Sequence, residues 1–405
     1  MQKYDLILWG ATSFVGKLIA KYIASNYKDL NWTIAGRDKN KLELLRTELS
    51  NINPKAKNFA IIIGDSNDQN FLSQLVKATK IIISTVGPYL QYGEALVKAC
   101  AENGTDYCDL TGEVPFISNM LNRYATQAEA SGSRIIHCCG FDSIPSDLGV
   151  FYLNAQAQQK FKESIEAANC VVTKIKGGFS GGTVASIINM IDAVKKDKNI
   201  KKILSNPYSI CPAENRTGVK QENLINYKYN KKINKWLATF LMSSVNSKVV
   251  HASNSLLNYP YSRSFKYTEY LLAKSFLQAL YIYCSVNIGM LLLAINPIRQ
   301  VLQKYLLPKP GQGPSIEQQE RGSFEFKICG KTKSDHRLTI KVTGDRDPGY
   351  AATAKMIVES AICLLDKPDR QSLPGGFWTP ASALGNQLLS RLEENAGMKF
   401  CVINS

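Results

Sequence analysis

Gly10 stands where an apolar run stops and an amphipathic one begins. Tyr4–Trp9 reads as a buried strand, and Phe14, Leu18, Ile19 and Tyr22 recur at helical spacing behind the loop Gly10-Ala11-Thr12-Ser13-Phe14-Val15-Gly16. A glycine at such a strand-to-helix corner lets the backbone approach a diphosphate, and the first amides and the dipole of the helix favour an anion there. Gly16 would let the helix lie close against a sheet. The spacing is Gly-x-x-Ser-x-x-Gly rather than Gly-x-Gly-x-x-Gly, so an ordinary corner without a ligand is the competing reading.

Beyond the loop the same alternation repeats. Apolar runs at Trp32–Ala35, Phe59–Ile63, Ile81–Val86, Tyr107–Leu110 and Arg134–Cys139 are separated by segments long enough for crossover helices. This rhythm predicts an α/β protein with a Rossmann-type, doubly wound parallel sheet over residues 1–145. After residue 145 the pattern changes. A helix is expected from Pro145 to about Lys160, a strand at Val171–Lys176, a Gly-rich bend at 177–183 and a helix at Val184–Lys195. Lys195–Trp236 is irregular and lysine-rich, Tyr270–Leu306 is strongly apolar, and Phe324–Gly330 with Leu338–Gly344 alternates as a hairpin. Residues 146–345 are therefore expected to form an α+β domain for substrate or dimerisation, with an apolar helix at 270–296. Residues 346–405 should return to the first domain: a helix opened by Asp347-Pro348, another over Thr379–Asn395, and a strand at Lys399–Ile403. The 405 residues suffice for two hydrophobic cores.

Ligands of open α/β sheets sit beyond the carboxyl ends of the strands. The second strand ends in Ala35-Gly36-Arg37-Asp38, with Lys41 one turn later. An acidic side chain in that place selects the ribose 2′-hydroxyl of NAD, whereas a guanidinium suits the 2′-phosphate of NADP, so NADP(H) is favoured over NAD(H). The alternative is that Arg37 merely pairs with Asp38 or a surface acid. Asp65 can face the adenine amino group or cap a turn. Thr85-Val86-Gly87-Pro88, then Thr111 and Gly112, offer small residues and rigid turns beside the nicotinamide ribose, a role that turn chemistry alone would also explain.

The net charge of +16 admits nucleic acid, an anionic membrane or anionic ligands. Without a zinc-finger, RNA-recognition or helix-turn-helix signature, nucleic acid is not an expected partner. Ten cysteines at irregular spacing, no CxxC pair and three histidines predict no metal site and a reducing compartment. With no secretory h-region after Met1, a cytoplasmic location is expected, including the cytoplasmic face of a membrane.

Together, Gly-Ala-Thr-x-Phe-x-Gly at 10–16, Ala-Gly-Arg at 35–37, Gly-Pro-Tyr at 87–89, Tyr-x-Asp-Leu-Thr-Gly-Glu at 107–113 and Gly-Phe-Asp-Ser-Ile-Pro-Ser-Asp at 140–147 resemble the saccharopine dehydrogenase-like oxidoreductases. The resemblance is strongest to the branch that holds the trans-acting enoyl reductases of mycobacterial lipid synthesis and the animal saccharopine dehydrogenase-like oxidoreductase. Gly-Gly-Phe-Ser-Gly-Gly-Thr at 177–183, Leu-Pro-Lys-Pro-Gly-x-Gly-Pro-Ser at 307–315 and Asp-Pro-Gly-Tyr at 347–350 extend it over nearly the whole chain. It implies a Rossmann domain followed by an α+β domain, an NADP-type cofactor, and, in the enoyl reductase branch, reduction of a carbon–carbon double bond on a large lipid. One departure is Ser13, where the family usually has glycine; its hydroxyl would either donate to a phosphate oxygen or hinder close approach.

Hydride transfer needs an acid for the second hydrogen. Tyr89, Asp142 and Asp147 are the candidates, with Glu113 and His137 behind them; equally, Asp142 and Asp147 would cap the helix that begins near Pro145. An amino-dicarboxylate site would need clustered arginines, and Arg216, Arg263, Arg299, Arg321 and Arg337 are scattered. The uncharged segment Ser275–Ile295 is about long enough to span a bilayer, yet Gln278, Ser285, Asn287 and Gly289 make it a poor spanning helix. One reading is a hydrophobic or lipid-linked substrate with peripheral membrane contact, the lysines of 195–235 meeting headgroups; equally, the helix would be buried or form a homodimer interface and the lysines a solvated loop. Two rival functions are compatible with the same residues, a saccharopine-type amino-acid dehydrogenase and a dinucleotide-binding scaffold without turnover.

Overall fold

A computed structural model describes residues 3–177, 181–306, 313–367 and 369–403. Two compact units emerge, one from Met1–Phe141 with Tyr350–Ala396, the other from Asp142–Gly349 with the segment from Gly397 onward. In chain order the first stretch carries β1 (Tyr4–Trp9), α1 (Phe14–Asn26), β2 (Trp32–Gly36), α2 (Lys39–Ser50), β3 (Ile62–Ile63), α3 (Gln69–Lys77), β4 (Thr79–Ser84), α4 (Tyr89–Tyr92), α5 (Glu94–Asn103), β5 (Asp106–Asp109), α6 (Val114–Ser131) and β6 (Arg134–Ile136). The second unit continues with α7 (Ile144–Phe161), β7 (Ile165–Lys176), α8 (Gly181–Lys196), α9 (Lys198–Ser205), β8 (Lys228–Asn230), β9 (Lys235–Thr239), α10 (Ser243–Leu256), β10 (Lys266–Ala273), α11 (Phe276–Ala294), α12 (Asn296–Tyr305), α13 (Ile316–Glu320), β11 (Ser323–Thr332) and β12 (Arg337–Gly344). The chain then supplies α14 (Thr353–Leu365), β13 (Gly376–Trp378) and α15 (Pro380–Asn395) to the first unit and β14 (Met398–Ile403) to the second.

The first unit is built on a seven-stranded sheet in the order β13-β6-β5-β4-β1-β2-β3, parallel at every pairing. Leu6, Ile7, Leu8 and Trp9 are all buried, as expected of a strand covered on both faces. The helix behind it buries Gly16, Ile19, Ala20, Ile23 and Ala24, one stripe at helical spacing. From β1 the chain adds strands on one side, then returns at β4 to the other, so the crevice between the carboxyl ends of β1 and β4 is the topological switch point.

The second unit is a mixed seven-stranded sheet, β14-β12-β11-β7-β10-β9-β8, in which only β7 and β10 run parallel. α7 packs on β11 and β12, and Gly149 makes this approach possible, because a Cβ there would lie 2.5 Å from Ile328 Cδ1. α10 packs on α7 and β10.

Some elements differ from the sequence reading. The expected strand Phe59–Ile63 shrinks to two residues, since a 3-10 turn over Pro54–Asn58 precedes it and the Phe59 ring packs edge-on against Trp32 at 5.0 Å. The helix expected from Asp347 starts as a π-helical turn, Pro348–Ala352, before α14. β14, grouped by sequence with the helices before it, pairs with β12 in the second sheet. Within the expected motifs, residues 178–180 and 307–312 lie outside the described residues.

Candidate functional site

The switch point of the first sheet is lined by the loop after β1. Gly10 has φ +84, and a Cβ on it would lie 2.7 Å from Thr85 Oγ1 and 2.8 Å from Val86 Cγ2, so glycine is required twice over. A Cβ on Gly16 would meet the Gly10 carbonyl oxygen at 2.4 Å. Ser13 is the N-cap of α1: its Oγ accepts from the Gly16 amide at 2.9 Å and lies 2.9 Å from Thr85 Oγ1, which in turn donates to the Gly10 carbonyl at 2.9 Å. The serine hydroxyl is thus committed to joining the loops after β1 and β4, and the expectation that it would reach a phosphate or block one gives way to a capping role. The Phe14 and Val15 amides, at the first two helical positions, have no intrahelical acceptor. Ala11 is buried, Thr12 and Val15 half-buried, and the Phe14 ring stands edge-on to Tyr350 at 5.0 Å.

At the end of β2, Arg37 is exposed and makes no hydrogen bond or ion pair among the described residues. Asp38 does not pair with it. Its Oδ1 caps α2 by accepting from the Lys41 amide at 3.1 Å, and Oδ2 lies 3.3 Å from Lys41 Nζ; these bonds hold the carboxyl below its ordinary value. Arg37 is therefore available and Lys41 is partly occupied. Asp65 accepts from the Asn67 amide at 2.9 Å, which is turn capping.

The loops after β4 and β5 are tied together by buried carboxylates. Glu113 accepts from the Tyr89 amide at 3.0 Å and the Leu90 amide at 2.8 Å, fixing the turn that starts at Gly87 and the cis Pro88. Asp109, fully buried, accepts from Tyr107 Oη at 3.0 Å, the Thr111 amide at 3.1 Å and the Cys138 amide at 3.3 Å, and lies 2.7 Å from His137 Nδ1. Thr111 Oγ1 accepts from the Glu113 amide at 3.1 Å, next to Gly112. By sequence, His137 and Glu113 stand behind Tyr89 as candidates and Asp109 has no role; an acid at a strand terminus is the signal that could have found it.

Tyr89 departs from expectation. Its hydroxyl donates to the Ser84 carbonyl at 3.1 Å and accepts from the Leu110 amide at 3.3 Å, bridging the ends of β4 and β5. Burial, then the neighbouring Asp109 carboxylate, push the phenol well above its ordinary value. A phenol so enclosed holds the sheet together rather than delivering a proton to a ligand.

Asp142 opens the second unit, immediately after Phe141, whose amide donates to Thr353 Oγ1 at 3.0 Å in the first. No hydrogen bond or ion pair engages its carboxyl among the described residues, and desolvation raises it to about 6. It caps nothing, because α7 takes Ser143 as its N-cap residue without a side-chain bond. Asp147 is instead buried against Ser253 Oγ. The second unit also holds a buried polar cluster that no sequence pattern marks. Glu269 accepts from Asn246 Nδ2 at 2.9 Å, Ser146 Oγ at 3.0 Å and Tyr267 Oη at 3.0 Å, and burial raises its carboxyl to about 7. No group of metal-ligating side chains occurs among the described residues.

A glycine cradle that a Cβ would fill and two helix-start amides without an intrahelical acceptor fit a dinucleotide. Known proteins agree with this geometry. Residues 6–136 match the saccharopine dehydrogenase NADP binding domain. The "putative trans-acting enoyl reductase" of Mycobacterium tuberculosis H37Rv is 37% identical over 404 residues, 96% of either chain. A trans-acting enoyl reductase of Mycobacterium bovis BCG is 31% identical with the same coverage. Among solved structures, apo saccharopine dehydrogenase (L-Glu forming) from Saccharomyces cerevisiae shares the fold at a TM-score of 0.56 and 12% identity, over 99% of this chain and 100% of that one. Homospermidine synthase from Legionella pneumophila does so at 0.55 and 8%, over 100% and 92%. The chain belongs to the saccharopine dehydrogenase-like family of NAD(P)-binding oxidoreductases, in the branch of the trans-acting enoyl reductases.

Proposed function

We propose that this protein reduces a carbon–carbon double bond conjugated to a carbonyl on a lipid-linked substrate, with NADPH preferred to NADH. The observation that supports the cofactor preference is Arg37, exposed and unpaired among the described residues at the end of β2, where a guanidinium suits a 2′-phosphate. The enoyl chemistry follows the names of the full-length relatives. When bound, the nicotinamide supplies the hydride.

The chain's own residues do the rest. Gly10 and the amides of Phe14 and Val15 receive the diphosphate, and Ser13 with Thr85 keeps that loop and the one after β4 in register. Asp142 is the proton donor in this reading, because its unengaged, desolvated carboxyl retains a proton to about pH 6, close to working pH. The arginines of the second unit favour an apolar substrate over an amino-dicarboxylate. Arg216 donates to the Cys211 carbonyl, Arg346 to the Glu320 and Asp345 carbonyls, Arg299 pairs with Asp192, Arg321 with Glu317 and Arg337 with Asp335, while Arg263 lies over the Tyr259 ring.

The test is NADPH consumption with a panel of enoyl thioesters and lipid enones, run beside NADP-dependent oxidation of amino-dicarboxylates. Turnover in the first series alone is expected. Tight NADPH binding with no turnover in either series would establish the scaffold instead, and turnover in the second alone would establish the amino-acid dehydrogenase.

A further inference from the structure

α11 is a helix of nineteen residues without a charge, and only Ala279 among them is buried. Its inner side is occupied: Ala279 and Ile282 pack with Ala238, Ala273 and Trp236, and the Phe276 ring lies 5.1 Å from Trp236. The opposite side has no partner among the described residues. Leu277, Tyr281, Cys284, Ile288, Leu291 and Ile295 come at i, i+4, i+7, i+11, i+14 and i+18, which is one continuous stripe on a helix. Leu277 is 73% exposed, Tyr281 71%, Ile288 54% and Leu291 61%. An isolated leucine on a surface is ordinary; an uninterrupted apolar stripe of this length marks an interaction face.

We propose that this face inserts into an anionic phospholipid surface, with α11 lying in the plane of the interface. Three features on the same unit select a membrane over another protein. First, α11 continues into α12, which again exposes Val301, Tyr305 and Leu306 and carries Lys304 in its last turn. Second, the neighbouring helices supply cations: α8 packs on α11 and ends in Lys195 and Lys196, and α9, with no buried residue, adds Lys198, Lys201 and Lys202. An apolar face with lysines on the neighbouring helices has the chemistry of a helix seated at the headgroup boundary, and a chain of net charge +16 is drawn to negative lipid. Third, the arrangement is held in place, for Lys195 Nζ donates to the Ala294 carbonyl at the end of α11, and Arg299 Nη1 pairs with Asp192 Oδ1 at 2.7 Å, joining α12 to α8.

The helix does not cross the bilayer. At about 28 Å it nearly matches a hydrocarbon core of about 30 Å, but one side is packed on β9 and β10 and cannot face lipid. Depth is therefore limited to the outer stripe.

Vesicle flotation of the full chain tests this directly, with phosphatidylcholine alone and with phosphatidylcholine containing phosphatidylserine. We expect the wild type to float with the mixed vesicles and much less with the neutral ones, and a double variant Leu277→Glu, Leu291→Glu to lose at least tenfold in bound fraction. The triple variant Lys198→Glu, Lys201→Glu, Lys202→Glu should lose binding that the wild type loses in high salt. Both variants alter exposed side chains, so unchanged melting and NADPH binding confirm that they are folded. Failure of the wild type to float, or flotation of the leucine variant at the wild-type level, overturns the proposal. So does a wild-type dimer that the leucine substitutions split while vesicle binding stays absent, which would assign the face to a second copy of the chain.

Discussion

Replacing Arg37 with alanine should weaken NADPH binding and leave NADH binding almost untouched. The guanidinium makes no hydrogen bond or ion pair among the described residues, and its neighbour Asp38 is already held by the cap of α2 and by Lys41, so its removal breaks no polar interaction inside the protein. The effect then falls on the ligand alone. Opposite unit charges 4 Å apart attract by about 4 kcal/mol near a protein surface and about 1 kcal/mol in bulk water. Hydrogen bonds to a charged group contribute about 1.5–3 kcal/mol. For a side chain as open as this one a loss of about 2 kcal/mol is reasonable, which is about thirtyfold in dissociation constant. NADH, without the 2′-phosphate, should change by no more than about twofold, as for other surface substitutions. Calorimetric titration of both nucleotides into wild type and variant reads this out, and the NADPH preference should shrink with added salt as the exposed pair is screened. Arg37→Lys should fall between, keeping charge while losing the two-pronged bond. An unchanged NADPH-to-NADH ratio in Arg37→Ala would refute the assignment, as would an equal loss for both.

Three further outcomes rest on the same geometry. Gly16→Ala places a methyl group 2.4 Å from the Gly10 carbonyl, so α1 must shift, at a stability cost of about 1–3 kcal/mol seen in denaturant unfolding and with at least tenfold weaker nucleotide binding. If Asp142 donates the proton, kcat/KM for the reduction should fall as pH rises above about 6, and Asp142→Asn should flatten that profile while lowering its plateau; an unaltered profile removes Asp142 from the chemistry. Glu269 has a folded-state value of about 7 against an ordinary 4.5, so its stabilising protonated form is complete below about 4.5 and is lost as pH rises through about 7. Relative to Glu269→Gln, the wild type should lose about 3 kcal/mol across that interval, measured as a diverging pair of denaturant midpoints; parallel curves would contradict it.

The parallel sheet was legible because its strands are short apolar runs set between amphipathic segments, and Gly10, Gly16 and Arg37 fall at fixed offsets from them. Three-residue β13 was not, since Gly376-Phe377-Trp378 is too short to show any period and depends on pairing with Arg134–Ile136. α10 was hidden for the opposite reason. Serines, asparagines, a lysine and a histidine carry no apolar period, yet nearly the whole helix is buried, and burial lowers Lys248 to about 8 and His251 to about 3. Pairings such as Asn246 with Glu269 bring together residues far apart in sequence, which no local pattern encodes. Tyr89 misled because a tyrosine beside a Gly-Pro turn looks available, while its hydroxyl is consumed by Ser84 and Leu110.

Neither unit is a continuous stretch of chain, and this bears on how the protein is made. β6 pairs with β13 only after residue 376 exists, and β12 with β14 only after 398. Until those strands are made, β6 and β12 are the outermost strands of their sheets, and the backbone groups that β13 and β14 later engage can pair with other chains. A clone stopped at residue 345 would leave β6 and β12 without their partners, and one stopped at 396 would supply β13 but not β14. Expression of isolated halves should therefore yield aggregates, whereas a circular permutant that keeps both β13 and β14 has what it needs to fold.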